Sequence, residues 1–466
     1  MRIAAGWAVV GVLGIGLAAT ADGERRLLGV KVPPAPATKL PPEAPIDPAL
    51  LKLVEALGSE NFREREKAGQ AIEAKGDKAL NDLRRALVTT DSPEISRRLT
   101  ILIRRMDYDR LVSARHVSMK LKGKTAKAAL EEVTKQTGYR IEFNNNGAVG
   151  PGAPGESKFD FEFDKTSFWV AVDAIAEKAG LGVYADYDDE IVRVNANQDS
   201  YNPHVSYAGP FRFIATGINS NRNVQLSGLS KRGFQQRTSE SIGFSFQVHS
   251  EPKNPILGTL PAEVTVATDE LGGNLVPPKD PNTIRSSYYN NGSYRGHNAY
   301  GNVNLLRASK DATTLKTLKG KMGIVLLAGI VPEVVIADPV KTKNKTFRGR
   351  NIEVTYDSTA EAGGQYTVNL TVKRLDQTDP NNIDYNWSNT VWQKVELHDA
   401  DGKKYHTYGP NQINNNGASV QLVIPFNKQN RQGQEEKLGP AVKLVVNEWL
   451  QITNDVTFEF KDIPLP

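Results

Sequence analysis

The sequence predicts a multidomain α+β protein: a short α-helical repeat, a βαβ-βαββ module and two antiparallel β-sandwich domains. Three patterns predict this fold class. Apolar residues recur at helical spacing between positions 50 and 106, a strand–helix–strand pattern occurs twice between positions 117 and 196, and short alternating strands follow position 199. A chain of 466 residues is long enough for about three or four domains.

The first 21 residues have the pattern of an export signal. Arg2 precedes an uncharged, mostly apolar run, Ile3–Ala19, and Ala19-Thr20-Ala21 fits a small-x-small cleavage site. We expect the mature chain to begin at about Asp22 and to be periplasmic or extracellular. An uncleaved membrane anchor is the alternative, since the run approaches the length of about 17 residues that a spanning helix needs. A Pro-rich linker over residues 22–47 follows in both cases.

The composition is that of an ordinary soluble globular protein, with 39% hydrophobic and 24% charged residues. A net charge of +5 is small for this length, and the sequence has no dense basic stripe that would neutralise phosphates, so we expect no nucleic-acid partner. The absence of cysteine excludes disulfides, thiolate metal sites and cysteine nucleophiles. Core burial must therefore stabilise the folded domains.

Residues 48–112 have the pattern of four amphipathic helices. Gly76 ends the second helix, and Ser92 with Pro93 provides an N-cap and a first-turn proline for the fourth. Two helix pairs that repeat at about thirty residues resemble HEAT-type repeats, which stack into a solenoid. Because a free-standing solenoid needs about three repeats, we expect these helices to lean on a neighbouring domain. The expected inner faces contain Leu50, Leu51, Val54, Leu57, Phe62, Ala68, Ala71, Ile72, Leu80, Leu83, Leu87, Ile95, Leu99, Leu102 and Ile103.

The module over residues 113–198 contains one pattern twice, at an offset of 42 residues. The first copy consists of the strand Val117–Leu121, the helical run Thr125–Thr137, Gly138 and the strand Tyr139–Phe143. The second copy consists of the strand Phe159–Phe163, the helical run Ser167–Ala179, Gly180 and the strand Val183–Ala185. The period of two in each strand predicts one buried face and one wet face.

Both copies carry the same helix boundaries. Thr125 and Ser167 stand where a hydroxyl accepts from an orphan backbone N–H, and Gly138 and Gly180 stand where a left-handed residue ends a helix. With the extra strand Ile191–Asn195, the two βαβ units predict a small sheet with two helices packed on one face.

This repeated pattern resembles the short N-terminal domain of secretins and TonB-dependent receptors, often called STN, and the related secretin N-domains. The resemblance covers roughly eighty residues and rests on hydrophobic pattern. It implies a periplasmic module that docks other proteins and has no enzyme activity. In those families the domain normally precedes an outer-membrane barrel, and this sequence shows none, so only the docking role is carried over. A scaffold without a partner is the simpler alternative.

After Asp199 many short strands follow with little helix between them, which predicts antiparallel β-sandwiches over residues 199–340 and 341–466. The boundary is expected near Pro339–Asn351. The predicted strands are Phe211–Ile214, Phe244–Val248, Glu263–Val266, Ile324–Leu327, Glu333–Ile336, Ile352–Val354, Tyr366–Val372, Val391–Leu397, Val420–Ile424, Val442–Val446 and Val456–Phe460.

No motif has catalytic or metal-binding spacing, and we predict no catalytic residue, no metal site and no cofactor. Gly123-Lys124-Thr125 resembles the end of a phosphate loop, but the glycine that should come five residues earlier is replaced by Ser118. Asp399–Gly402 starts like a calcium loop and lacks the distal glutamate, so a hairpin turn explains it. The six histidines show no zinc spacing.

Two polar segments are candidates for ligand binding. Ser286–Asn304 is rich in Tyr, Asn, Gly and Ser, the composition of adaptable recognition loops, and aromatic rings also stack on sugars. Asp376–Asn389 joins it if the sandwiches place both segments at one end. A low-complexity insertion is the alternative for the first segment. The candidate binding residues are Tyr288, Tyr289, Tyr294, Tyr300 and Trp387.

Taken together, the sequence predicts an exported, non-catalytic protein of the bacterial cell envelope that serves in protein–protein docking or structural organisation. Its partners would be envelope proteins and also polysaccharide, with membrane contact only through an uncleaved N-terminal segment. The alternative is a glycan-binding or carbohydrate-active protein that uses the β-sandwich domains. A cluster of carboxylates in a cleft would favour the enzyme.

Overall fold

The computed structural model describes residues 45–144, 156–185, 191–196, 202–225, 237–278, 295–375, 385–415, 419–430 and 433–466. The expected export signal and nearly all of the Pro-rich linker lie outside these ranges. Within them, no helix combines the length and apolar character that crossing a membrane requires. The described chain is α+β, with most of its helices before residue 180 and mainly antiparallel sheets after residue 202.

Four helices form the N-terminal part, as the apolar spacing predicts. They are α1 (Pro48–Ala56), α2 (Phe62–Ala74), α3 (Leu80–Thr89) and α4 (Pro93–Val112). Ser92 caps α4 by accepting from the backbone N–H of Ile95. Their shared core contains Leu50, Val54, Leu57, Ala68, Ile72, Ala79, Leu80, Leu83, Ala86, Leu99, Leu102, Ile103 and Met106.

Two residues expected on the inner faces are exposed. Leu51 lies one position away from the buried stripe of α1, which Leu50 and Val54 occupy, so it is turned by about 100° from that face. Phe62 is the first residue of α2, where the guanidinium of Arg65 lies over its ring, 5.7 Å from the centroid. Both corrections have a local geometric cause.

The module contains the two predicted strand–helix–strand units. Its elements are β1 (His116–Thr125), α5 (Ala126–Thr137), β2 (Arg140–Asn144), β3 (Lys158–Ser167), α6 (Phe168–Ala179), β4 (Gly182–Ala185) and β5 (Ile191–Asn195). Thr125 caps α5 through the N–H of Ala128, and Gly138 and Gly180 end the helices with φ of 75° and 65°. Ser167 occupies the N-cap position of α6 without a side-chain capping bond.

The strands of the module form two sheets, which corrects the prediction of one small sheet with both helices on one face. The equivalent strands β1 and β3 pair with each other antiparallel, while β5 lies between β2 and β4. Helix α5 contacts β1 and β2, and α6 contacts β3 and β4, so the apolar faces of both sheets pack on the helices. The shared core includes Val117, Phe161, Phe168, Val172 and Val194.

The rest of the chain is almost entirely antiparallel. Its first strands are β6 (Val205–Ala208), β7 (Phe211–Gln225), β8 (Arg237–Ser250), β9 (Ile256–Thr259), β10 (Glu263–Asp269), β11 (Asn298–Leu306) and β12 (Thr314–Ala337). The following elements are β13 (Lys345–Arg348), β14 (Ile352–Ala362), β15 (Gln365–Arg374), α7 (Tyr385–Thr390), β16 (Val395–Asp399), β17 (Gln412–Asn415), β18 (Ser419–Phe426) and β19 (Ala441–Pro464). They form sheets with the strand orders β11-β8-β7-β6, β10-β12-β19-β16 and β13-β14-β15-β18-β17, and β9 also pairs with β12.

Strands β12 and β19 form one long antiparallel ribbon. Each has 24 residues, and their pairing runs from Thr314 opposite Pro464 to Ala337 opposite Lys443. The sequence predicts two short strands in each of these stretches. The structure has one, because register shifts after Leu327 and after Pro332 absorb the interruptions in the apolar pattern.

The ribbon contributes to two hydrophobic cores. The first β core combines Phe213, Phe244 and Phe246 of one sheet with ribbon residues such as Leu318 and Phe458. The second β core combines residues of β14, β15 and β18 with the other half of the ribbon, near Val334 and Val446. A cut between residues 340 and 341 therefore does not separate the cores, because β19 runs back into the first.

The helical part contacts the ribbon. Helix α4 contacts β12, and the side chains of Arg84 and Arg110 each donate to the carbonyl of Ala328 at 2.9 Å. Arg84 also pairs with Asp107 at 2.6 Å. A Cβ at Gly329 would lie 2.9 Å from Cζ of Arg84, so glycine permits this close approach.

Candidate functional site

A cavity of about 470 Å³ lies beside the ribbon; we call it the junction cavity. Leu257 of β9 and Val325 of β12 line it, next to residues of the first β core on the same strands, and Ile352 and Val391 of the second β core line it too. The volume falls in the range of about 300–1,000 Å³ that is typical of small-molecule sites. Its polar and aromatic lining includes Arg295, Glu333, Asn351, Arg374, Trp387, Lys394, Asn447, Glu448, Trp449 and Gln451.

A β-bulge in the ribbon places one carboxylate at the cavity. Pro332 pairs with Asn447 and Val334 pairs with Val446, so Glu333 is an extra residue on β12. Bulges bend a strand and redirect a side chain, and they are frequent beside binding sites. The polar character of Glu333 in an otherwise apolar stretch is explained by this position.

The carboxylate of Glu333 holds the turn that precedes β14. Its Oε1 accepts from the backbone N–H groups of Asn351 and Ile352, at 2.5 and 3.1 Å. The side chain of Asn351 in turn donates to Glu448 at 2.7 Å. A Cβ at Gly349 would lie 2.6 Å from Cγ of Glu333, so the turn packs too closely on that side chain for any larger residue. One wall of the cavity is therefore a hydrogen-bonded unit.

Two tryptophans line the cavity, and each has a cation over its ring. The guanidinium carbon of Arg374 lies 5.5 Å from the ring centroid of Trp387, and Nζ of Lys394 lies 5.5 Å from that of Trp449. Such cation–π contacts contribute about 0.5–1 kcal/mol at exposed sites and fix the plane of the indole. The aromatic surfaces of the cavity are thus oriented before any ligand binds.

Asn447 lines the same cavity and is 4% exposed. Its Nδ2 is buried and has no hydrogen-bond partner among the described residues. An unsatisfied buried donor costs about 1–3 kcal/mol, and native proteins contain few of them. This atom has almost no accessible surface, so the amide is a cost within the fold and not a contact offered to the cavity.

The structure brings together part of the site that the sequence predicts. Trp387 lines the cavity, while Tyr288, Tyr289 and Tyr294 lie outside the described residues. Tyr300 lies on β11 and is 39% exposed, with its hydroxyl accepting from Gln247 at 3.4 Å, and it does not line the cavity.

The two polar segments nevertheless meet at the cavity. Arg295, the first described residue of the first segment, and Trp387, which belongs to the second, are both lining residues. The backbone N–H of Arg295 donates to the side chain of Gln393, just beyond α7, at 2.9 Å.

Sequence reasoning missed Trp449, Asn447 and Glu333. The available signal was the stretch Val445–Ile452, in which asparagine, glutamate and tryptophan interrupt an apolar strand. A polar interruption on a long strand marks a place where the strand leaves a core.

A second cluster, the buried joint, connects three parts of the chain. Glu251 is 0% exposed and accepts from the backbone N–H of Arg115 at 3.0 Å and from the hydroxyl of Tyr139 at 2.7 Å. The ammonium of Lys253 lies 3.8 Å from the same carboxylate and donates to the carbonyl of Ser113 at 2.6 Å. The joint thus binds the module and the end of α4 to the first β core.

The other half of the buried joint centres on Arg212. Its guanidinium forms an ion pair with Asp173 of α6 at 2.7 Å and lies 5.7 Å from the ring centroid of Trp169. Tyr207 donates to Asp173 at 2.6 Å, and the indole N–H of Trp169 donates to the carbonyl of Pro210 at 3.2 Å. Aromatic packing and charge pairing therefore act at the same contact.

Burial dominates the electrostatics of the joint. It raises the pKa of Glu251 and that of Asp173, and it lowers the pKa of Lys253. Burial, with the Arg212 charge nearby, lowers the pKa of His249 to about 3, so this imidazole is neutral at physiological pH. Neutral or paired groups are what a water-free contact requires.

The described residues contain no group of three or more His, Asp or Glu side chains arranged to hold a metal ion. At the hairpin after β16, Asp399 accepts from the backbone N–H groups of Asp401, Lys403 and Gly439. The carboxylate therefore shapes the turn, in the way that the Asp-Gly sequence predicts.

No family model matches this chain, and no curated protein matches it. Among solved structures, a conserved domain protein from Bacillus anthracis is similar over 55% of this chain and 89% of its own length, with 9% sequence identity and a TM-score of 0.15. A likeness at this level carries no argument about fold or function, so the proposals below rest on the residues of this chain.

Proposed function

We propose that this chain is an exported, non-catalytic protein of the cell envelope that docks partner proteins. In this proposal the HEAT-like helices and the STN-like module present docking surfaces, and two β-sandwich domains support them. The buried joint is the observation that carries the proposal. It ties the module, the end of α4 and the first β core together through ion pairs and hydrogen bonds around the fully buried Glu251, and these contacts favour one orientation of the module.

The contact between the helices and the ribbon supports the same function. Arg84 is held by Asp107 and donates to the ribbon at Ala328, and both side chains of the pair are largely buried. Breaking a buried pair by removing one partner costs about 3–5 kcal/mol, so such contacts resist separation. A fixed arrangement lowers the entropy cost of binding a partner across several surfaces.

The outer face of the β1–β3 sheet is the surface that we assign to docking. Lys120 and Lys122 are exposed on β1, Asp160 and Glu162 are exposed on β3, and the ammonium of Lys120 lies 2.7 Å from the carboxylate of Glu162. The face is therefore polar and charged on the outside while its inner side packs on α5 and α6. Charged surfaces of this kind set the orientation and the association rate of a docking partner.

Two carboxylates line the junction cavity. A carbohydrate-active enzyme, the alternative function, would need carboxylates in such a cleft. Glu333 accepts two backbone N–H groups, and Glu448 accepts from Asn351. A nucleophile or general acid must be able to reach substrate. Because both carboxylates hold the turn before β14, we infer a positioning role for them and propose no catalytic step.

Site-specific crosslinking in the intact envelope tests the docking proposal. A photoreactive residue replaces Lys122 or Asp164 on the outer face of the module, and a matched probe replaces the exposed Lys373 on β15. We expect one defined envelope protein to crosslink to both module positions and not to the control position. The same products from all three positions, or none from any, would contradict the proposal.

A further inference from the structure

We infer that the junction cavity binds a neutral saccharide. The cavity lies away from the outer face of the module, so this inference stands independently of the docking proposal. Three observations support it: the two oriented tryptophans, the mixed charge of the lining and the exposed amide of Gln451.

The tryptophans provide flat apolar surfaces in a polar cavity. A sugar ring has an apolar face of C–H groups and an edge of hydroxyls, so it needs aromatic surface and hydrogen-bonding groups side by side. Trp387 and Trp449 supply the first requirement, and the cations over their rings fix their planes. A purely apolar ligand would bury the exposed amide of Gln451 against apolar surface.

The lining charges nearly cancel. Arg295, Arg374 and Lys394 face a cavity that also contains Glu333 and Glu448. A strongly anionic ligand would meet the carboxylates, and a cationic ligand would meet the three basic groups. A hydroxyl both donates and accepts, so a neutral polyhydroxylated ligand is compatible with every one of these groups.

Gln451 adds an amide that a ligand can reach. It is exposed, lies on the same strand as Trp449 and lines the cavity. Its side chain has both a donor and an acceptor, which match the hydroxyl groups and the ring oxygen of a sugar.

Calorimetric titration of the full chain tests the inference, with maltose, cellobiose and N,N′-diacetylchitobiose as probes and galacturonate as the anionic comparison. We expect at least one neutral disaccharide to bind with a dissociation constant of about 1 mM or lower, and galacturonate to bind more weakly. Trp387→Ala and Gln451→Ala should each weaken that binding by about tenfold or more.

Tyr300→Ala is the matched control, because Tyr300 is an exposed aromatic outside the cavity. It should leave the affinity unchanged, and circular dichroism should show all variants folded; Gln451→Ala keeps the test valid if the tryptophan variant unfolds. The inference is overturned if no neutral disaccharide binds, if galacturonate binds best, or if Tyr300→Ala abolishes binding while Trp387→Ala and Gln451→Ala do not.

Analysis of the titrated mixtures of protein and disaccharide, together with the crosslinking experiment, distinguishes this inference from the proposed function. Release of free monosaccharide would contradict the non-catalytic proposal and leave saccharide binding supported. Loss of envelope crosslinks from the module with sugar binding intact would contradict docking alone.

Discussion

The buried joint and the junction cavity both lie where parts of the chain meet, and they are built in opposite ways. In the joint, the carboxylate of Glu251 accepts from Arg115 and Tyr139 and has no exposed surface. In the cavity, Glu333 and Glu448 hold a turn as well, but they lie beside an open volume of about 470 Å³. Side chains that fill the space around polar groups hold the fold together, whereas an open volume lined by aromatic and polar groups is available to a ligand.

The two sites also differ in how their aromatic residues are used. Trp169 in the joint is 1% exposed, and its indole N–H is already bonded to Pro210. Trp387 and Trp449 line a cavity and are only partly buried. Tryptophan therefore stabilises a buried contact in one region and lines an open cavity in the other. The burial of the surrounding residues decides which role it has.

Removing the Glu251 carboxylate from the buried joint should have the largest effect on stability. Glu251→Ala should lower the free energy of unfolding by about 3 kcal/mol, because it leaves the hydroxyl of Tyr139, the N–H of Arg115 and the charge of Lys253 without their acceptor. Urea denaturation measures the change. Glu459→Ala, at an exposed surface pair, is the control and should change stability little. Equal losses would show that the joint is not structural.

The contact between helices and ribbon should be somewhat less sensitive. Asp107→Asn should cost about 2 kcal/mol, because Arg84 loses a charged acceptor in a contact that excludes water. Glu94→Gln removes the partner of Arg98 in an exposed pair on the same helix and should cost about 0.5 kcal/mol or less. Thermal unfolding measures the loss of stability in both variants. A larger loss in Glu94→Gln than in Asp107→Asn would contradict this prediction.

A smaller effect is expected at the wall of the cavity. Gly349→Ala should cost about 1–2 kcal/mol, because the new methyl group must displace Glu333 from the turn that it holds. Gly69→Ala in α2 is the matched change, since a Cβ there has open space within 4 Å, and it should stabilise by about 0.5–1 kcal/mol. Chemical denaturation should give changes of opposite sign in the free energy of unfolding for the two variants. No change in Gly349→Ala would contradict the close packing of the wall.

The pH dependence of stability should distinguish a buried carboxylate from a paired one. Burial raises the pKa of Glu251 above its ordinary value of 4.5, so its stabilising contribution is fully present below that pH and is lost as the pH rises through the folded-state pKa. Burial opposes ionisation of Glu396 too, but hydrogen bonds from His398 and Lys404 hold its pKa at about 2.

The contribution of Glu396 therefore has the opposite sign with pH: it is present above 4.5 and is lost as the pH falls towards 2. Melting curves of Glu251→Gln and Glu396→Gln against the unsubstituted chain, from acid to neutral pH, should show differences that change in opposite directions. Parallel curves would mean that burial does not control Glu251.

Local patterns predicted the elements well where the chain itself supplies the boundary. The cap at Thr125 and the left-handed glycines at 138 and 180 lie where the sequence places them, because each involves residues within a few positions of one another. The sheet of the module was predicted less well. Pairing of β1 with β3 depends on contacts between residues about forty positions apart, and hydrophobic alternation does not choose the partner strand.

The candidate site was accessible from sequence only in part. Trp387 was a candidate because it lies in the polar segment Asp376–Asn389, and it lines the cavity in the structure. Glu333 and Asn447 were not identified, because a bulge in one strand and the pairing of that strand with the last one bring them together. The polar interruption of Val445–Ile452 was visible in the sequence, but neither the bulge nor the strand pairing leaves a local pattern.

By itself, the sequence determined the four N-terminal helices, the two helices of the module and the β-rich character of the chain after residue 202, since propensity and periodicity act over short distances. The tertiary structure alone decided that β12 and β19 form one ribbon shared by two cores, and that Trp387 and Trp449 face the same cavity. The physical reason is that burial and hydrogen bonding between distant strands select one pairing from many that the alternating pattern allows.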